Sequence, residues 1–146
     1  MKRITMFASM LICSMAPQLH AQDQIHAQDQ CSNADLRGVY SFVASGTMSG
    51  VGAFATAGQG TYDGNGNVAG LIQISLNGTV TPVIPWTGIY SVNPDNCTMT
   101  KTAVIPGVGT VHFFVTAGAR FKELRFMATD KGTAISGTAR KQWDSR

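Results

Sequence analysis

The chain has 146 residues, one domain's worth, of which 13% are charged, with a formal net charge of +3. Lys2 and Arg3 lie in a stretch that reads as a removable leader, and subtracting those two leaves about +1, which gives no electrostatic case for nucleic acid or an anionic membrane. Glu123 is the only glutamate, lysine is sparse, and Thr, Val, Gly and Ala abound, a composition that disfavours helix and favours strand.

The chain opens MKRITMFASMLICSMAPQLHAQ, two positive charges followed by an apolar stretch over 4–16 and the small residue Ala21. That order is a secretory signal peptide, too short and too dotted with Ser and Thr for a spanning helix of about 20 apolar residues. Ile12 stands where a lipidated Cys13 would need a small residue, which disfavours a lipid anchor. The motif HAQDQ then occurs at 20–24 and again at 26–30, so cleavage fits after Ala21 or after Ala27. His20 and His26 read as parts of this slipped repeat rather than as metal ligands. The expected organisation is a signal peptide over 1–21, a leader over 22–34 and one domain over 35–146. The protein would be exported, to the periplasm or beyond the cell, with no membrane insertion after cleavage.

With Cys13 gone, Cys31 and Cys97 remain. In an oxidising compartment such a pair reads as one disulfide, contributing about 4 kcal/mol on the chain-entropy account. The competing reading, a reactive or metal-binding thiol pair, has no nearby His or further Cys to support it.

Turn signals then punctuate the chain at short intervals and define eight strand-like segments, at 37–48, 51–63, 67–76, 79–92, 97–105, 108–117, 121–130 and 133–143. Asn77-Gly78 between the third and fourth is a strong hairpin dipeptide. Pro82 and Pro85 predict a bulge or break in the fourth. Consecutive strands with tight turns form an antiparallel meander, and eight can close into an up-and-down β-barrel that removes exposed edges. A two-sheet sandwich, the alternative, needs longer crossing connections. The predicted fold is therefore all-β, an eight-stranded antiparallel barrel with one disulfide.

Alternation assigns faces. Leu124, Phe126 and Ala128 read as buried and Glu123, Arg125 and Met127 as mostly wet; Val80, Ile84, Trp86, Tyr90 and Val92 share a parity. The second segment lacks bulk, with Ala53, Ala55 and Ala57 on one face and Gly52, Gly58 and Gly60 on the other. Such a wall leaves room for a small ligand or admits a neighbour's aromatic ring, and both outcomes are open for eight strands.

In TYDGNGNVAG (61–70), Asp63, Asn65 and Asn67 have the spacing of a calcium loop's first ligands. Counting from Asp63, however, Val68 and Ile74 fall where that loop needs Gly and Glu. The stretch reads as a turn, with Asp63 accepting bonds from the turn's own amides.

The phrases CSNADLRGVYSF, TYDGNGNVAG, GIYSVNPDNCTMT and ELRFMATDKGTAISGTARKQ span nearly all of the mature chain. Together they resemble a family of small secreted bacterial proteins whose fold is similar to the allene oxide cyclase barrel, a lipocalin-like architecture. Asn96 is an extra residue relative to the usual form of the turn before Cys97. The resemblance implies that Cys31 and Cys97 occupy the family's two cysteine positions, and it implies a barrel and an exported location. It aligns no catalytic motif, and a shared barrel alone fixes no activity.

Candidate chemistry rests on few side chains. His112 could act as acid or base, and Glu123 with Arg125 could steer a carbonyl or epoxide if they faced inward; as an outer pair they contribute under about 1 kcal/mol. Tyr40, Tyr62, Trp86, Tyr90 and Phe126 are candidate ligand-lining residues, or plain core. Arg140 shares a polar face with Ser136 and Thr138. Lys101, Lys141 and the tail ARKQWDSR are poor material for the lipid-facing band of a membrane barrel. No zinc-spaced Cys/His set, phosphate loop or nucleophile elbow occurs, so neither metal nor cofactor is expected. The first reading is a barrel binding a small apolar molecule. The alternatives are a cofactor-independent cyclase or isomerase, and a non-catalytic interaction module.

Overall fold

The computed structural model describes residues 30–144. The signal peptide, most of the duplicated leader and the cleavage site lie outside the described residues. A short 3-10 turn, η1 (Asn33–Leu36), precedes nine strands: β1 (Gly38–Met48), β2 (Gly52–Tyr62), β3 (Asn67–Leu76), β4 (Thr79–Val80), β5 (Ile84–Val92), β6 (Thr98–Ile105), β7 (Gly109–Gly118), β8 (Glu123–Ala128) and β9 (Thr133–Trp143). Eight are long, and β4 is a two-residue stub on the end of β3.

Every long strand pairs antiparallel with two neighbours, and β1 pairs with β9 as well as with β2, so the sheet closes on itself. Closure leaves none of the eight long strands with a free edge, as the meander predicted. Tight turns make this possible: Asn77 and Gly78 both take positive φ between β3 and β4.

The fourth predicted segment is two pieces rather than one. Residues 81–83 leave the ladder because Pro82 has no amide proton to contribute. Thr81 holds the detour by donating its N–H to the Ile74 carbonyl at 2.8 Å and accepting from the Ile74 amide at 3.1 Å. Val80 is consequently exposed and does not share the buried face of Trp86, Tyr90 and Val92. The seventh segment also shortens. Ala119, Arg120 and Phe121 all take positive φ, and this left-handed turn swings the Phe121 ring into the core.

The core is the barrel's interior, and its two ends differ. At one end Leu36 of η1 is fully buried, and Asn33 ties η1 to β5 by accepting the Val92 amide at 2.8 Å. The Cys31–Cys97 disulfide, with Cα atoms 5.3 Å apart, pins that same end, within ordinary disulfide reach. At the other end lie the β1–β2 and β6–β7 hairpins, where Met48 and Val108 are only half-buried. One end is plugged; the other is closed by side chains alone.

Candidate functional site

Tyrosines fill the plugged end. The Tyr62 ring stands edge-on to Tyr40 and to Tyr90, centroids 5.1 Å apart in each pair. Tyr40 donates its hydroxyl to the Phe121 carbonyl at 2.6 Å, and the Tyr90 hydroxyl accepts the Gly64 amide at 2.9 Å and donates to the Asn33 carbonyl at 3.3 Å. Burial raises the pKa of all three phenols, so they stay protonated and neutral. Two of the hydroxyls are committed to holding the turns and η1 in place.

The small residues of β2 admit neighbouring rings. A methyl group built on Gly58 would stand 2.6 Å from Cζ of Phe42, and one on Gly60 would stand 2.8 Å from Cζ2 of Trp86. Both distances are below van der Waals contact, so glycine is required for these rings to enter. Trp86 packs edge-on against Phe42 at 5.7 Å and donates its indole N–H to the Gln59 carbonyl at 3.2 Å.

Beyond these rings, in the half towards Met48 and Val108, a space of about 40 Å³ remains, room for a group of a few heavy atoms. Its walls include Phe42, Phe54, Ile72, Ala103, Phe113 and Ile135, and two of its lining residues, Thr56 and Lys101, carry a polar side-chain group that is neither an indole nor an aromatic ring. Thr56 donates its hydroxyl to the Gln73 carbonyl at 2.7 Å. Lys101 is different. It is only 9% exposed, and its ammonium lies 4.8, 5.0 and 5.4 Å from the ring centres of Phe113, Phe126 and Trp86. No ion pair involves it among the described residues.

Burial alone pulls its pKa from 10.5 down to about 8, because the charged form loses its hydration. Facing π-clouds act in the opposite direction by attracting the cation. An amine withdrawn from most of its water without an ion-pair partner is costly to a fold, and perturbed groups of this kind cluster at functional sites.

The sequence placed Lys101 among the charges unsuited to a lipid-facing wall, but its side chain points inward and has no bearing on the outer surface. A signal for this was present: Met99, Lys101, Ala103 and Ile105 alternate with Thr98, Thr100 and Thr102, so parity assigns the lysine to the apolar face.

Other sequence candidates separate into three places. Trp86 and Phe126 flank Lys101, whereas Tyr40, Tyr62 and Tyr90 belong to the plugged end. Glu123 and Arg125 stand on the outer wall with side chains 31% and 76% exposed and 3.6 Å apart, so neither reaches the interior; Arg140 joins them on the surface, 4.0 Å from Glu123. His112 is likewise outside, its Nδ1 2.7 Å from Asp130, which also accepts the His112 backbone N–H at 2.7 Å. Those contacts hold the Asp130 carboxyl below its ordinary range, the backbone bond foremost. No conjunction of His112 with Glu123 or Arg125 forms.

Asp63 closes its turn by accepting the side-chain amide of Asn67 and the backbone amides of Asn65 and Asn67, at 2.7 to 2.9 Å. Its carboxyl is held at about 2, mainly by the Asn67 side chain.

No protein-family profile matches the chain, and no curated protein does. Among solved structures, a de novo designed fluorescence-activating β-barrel superposes with a TM-score of 0.52 at 12% identity, covering 77% of this chain and 99% of the design. A redesigned β-barrel gives 0.51 at 19% identity, covering 76% and 95%. At such identities the likeness is one of fold: a small, closed antiparallel barrel.

Proposed function

We propose that this is an exported barrel that takes a small apolar molecule into the half of its interior around Lys101. The observation that carries the reading is the Lys101 amine, buried without a counter-ion beside an apolar space. A barrel filled only for stability gains nothing from an amine there, since an apolar side chain of similar length would pack without the desolvation cost. The disulfide suits an oxidising compartment, and the chain is similar in fold to a designed fluorescence-activating β-barrel. The ligand enters past Met48, whose unbranched side chain repacks readily, and Val108.

Confinement rather than catalysis is favoured because Glu123, Arg125 and His112 are on the outside, leaving no acid–base pair around the cavity among the described residues. Xenon, a minimal apolar probe, tests the reading. In xenon-equilibrated solution the Trp86 indole resonance shifts saturably in the wild type, and Ala103→Val, which fills the space, loses the response. An unshifted Trp86 in the wild type overturns the proposal.

A further inference from the structure

The chemistry around Lys101 narrows what the cavity accepts. An apolar acid is the obvious partner for a buried cation, but the site is badly made for one. A carboxylate has about four acceptor positions to fill, and the donors lining the space are nearly all spent. Thr56 gives its hydroxyl to Gln73, and Trp86 gives its indole N–H to Gln59. Only the Lys101 amine is left, and the three ring faces beside it present negative π-density that repels an anion. A carboxylate would therefore be buried with most of its lone pairs unmet.

A carbonyl compound meets no such obstacle, because its oxygen need not stay. Resting on the reading of this cavity as a binding site, we propose that Lys101 captures a small apolar aldehyde as an imine. The lone pair of the neutral amine attacks the carbonyl carbon and forms the C–N bond. The carbonyl π electrons move to oxygen, which takes up a proton, and nitrogen gives one up. The nitrogen lone pair of this carbinolamine then forms C=N as the C–O bond breaks, and the hydroxyl departs as water with the second proton that nitrogen gives up. Amine and aldehyde enter, imine and water result, and nothing is oxidised or reduced.

Three features of the site favour this step. The amine is uncharged far more often than an exposed lysine's, because burial opposes its protonation; a desolvated lysine is how such nucleophiles are activated. The rings around it from β5, β7 and β8 are Trp86, Phe113 and Phe126. Its cross-strand neighbour on β5, Tyr90, stays a neutral phenol with its hydroxyl bonded to Gly64 and Asn33, so none of these four is an anion that would hold the amine protonated. When the imine is protonated, the resulting cation occupies the same three-ring box that the ammonium did, with a single N–H to solvate in place of three. The apolar alkyl group of the aldehyde fills the space towards Ala103 and Ile135.

Propanal with cyanoborohydride tests this on the full chain, since the hydride reduces an imine to a stable propylamine that peptide mass spectrometry locates. Lys122 and Lys131, both exposed, are internal references. At pH 7.5 the expected result is propylation at Lys101 about tenfold faster than at either reference, because burial leaves its amine neutral far more often than that of a solvated lysine, and its lower basicity returns part of that gain. The rate at Lys101 saturates with propanal and falls in Ala103→Val, while the references are unaffected. Labelling of Lys101 no faster than of Lys122, or equal labelling in Ala103→Val, overturns the imine. If xenon still shifts Trp86 in that case, the binding reading survives without the covalent step; if xenon also fails, the cavity reading falls with it.

Discussion

Replacing Lys101 by methionine puts a side chain of similar length among the same three rings without the charge. The fall of its pKa from 10.5 to about 8 corresponds to about 3 kcal/mol against the charged amine in the fold. Facing rings return about 1 kcal/mol, so Lys101→Met is expected to raise stability by about 2 kcal/mol at pH 7. The sign of the pH dependence follows from proton binding. The unfolded chain keeps the lysine's proton to near 10.5, whereas the folded chain releases it near 8. Between those values the unfolded state binds more protons, so wild-type stability rises with pH relative to the variant. Phenol ionisation of Tyr40, Tyr62 and Tyr90 lowers stability above pH 10 in both proteins and cancels in the difference. Urea unfolding of both proteins at intervals from pH 6 to pH 10, disulfide intact, reads this directly. The gap narrows by about 2 kcal/mol between pH 7 and pH 10. A wild type more stable than Lys101→Met at pH 7, or a gap that ignores pH, refutes the buried, unpaired amine.

Three further outcomes follow from other parts of the barrel. Reducing Cys31–Cys97, which closes a separation of 66 residues, lowers stability by about 4 kcal/mol, measured by urea unfolding with and without dithiothreitol. Gly60→Ala forces a methyl to 2.8 Å from the Trp86 ring and costs about 1–3 kcal/mol, with a change in Trp86 fluorescence as the ring shifts. Asp63→Asn is less stable than the wild type at pH 7. Because the folded carboxyl titrates near 2 against 3.8, its contribution is full above 3.8 and lost as pH falls through 2, so the two unfolding curves converge in acid.

Much of the fold was legible because the punctuation is local. Asn77-Gly78, Asp63 to Asn67 and the other Gly-bearing turns declare themselves by the backbone angles they allow, and the runs between them are strands by length and residue type. The barrel followed from connectivity, since a meander of eight has few other ways to remove its edges. Where the reading fell short, longer-range chemistry decided. Where Pro82 takes residues 81–83 off the ladder, Thr81 holds the detour through bonds to Ile74 that no local pattern shows. The glycines of β2 read equally as empty wall or as sockets, and only the positions of Phe42 and Trp86 show that they are sockets.

The site was legible only in part, and for an instructive reason. Alternation puts Trp86, Tyr90 and Phe126 inside, but it cannot say that Tyr90 belongs to the plugged end while Trp86 and Phe126 flank an amine. Lys101 was judged by its charge, as a residue for the outer wall, when its neighbours Met99, Ala103 and Ile105 placed it by parity on the apolar face. Charge is a strong prior for exposure, and here strand geometry outweighs it.

Lysine side-chain NMR tests the account most directly, by titrating each ε-methylene resonance in the intact, oxidised protein. The account predicts a lysine resonance, absent from the Lys101→Met spectrum, with its midpoint near 8. A Lys101 midpoint left at the 10.5 of a solvated lysine places the amine in water and contradicts it.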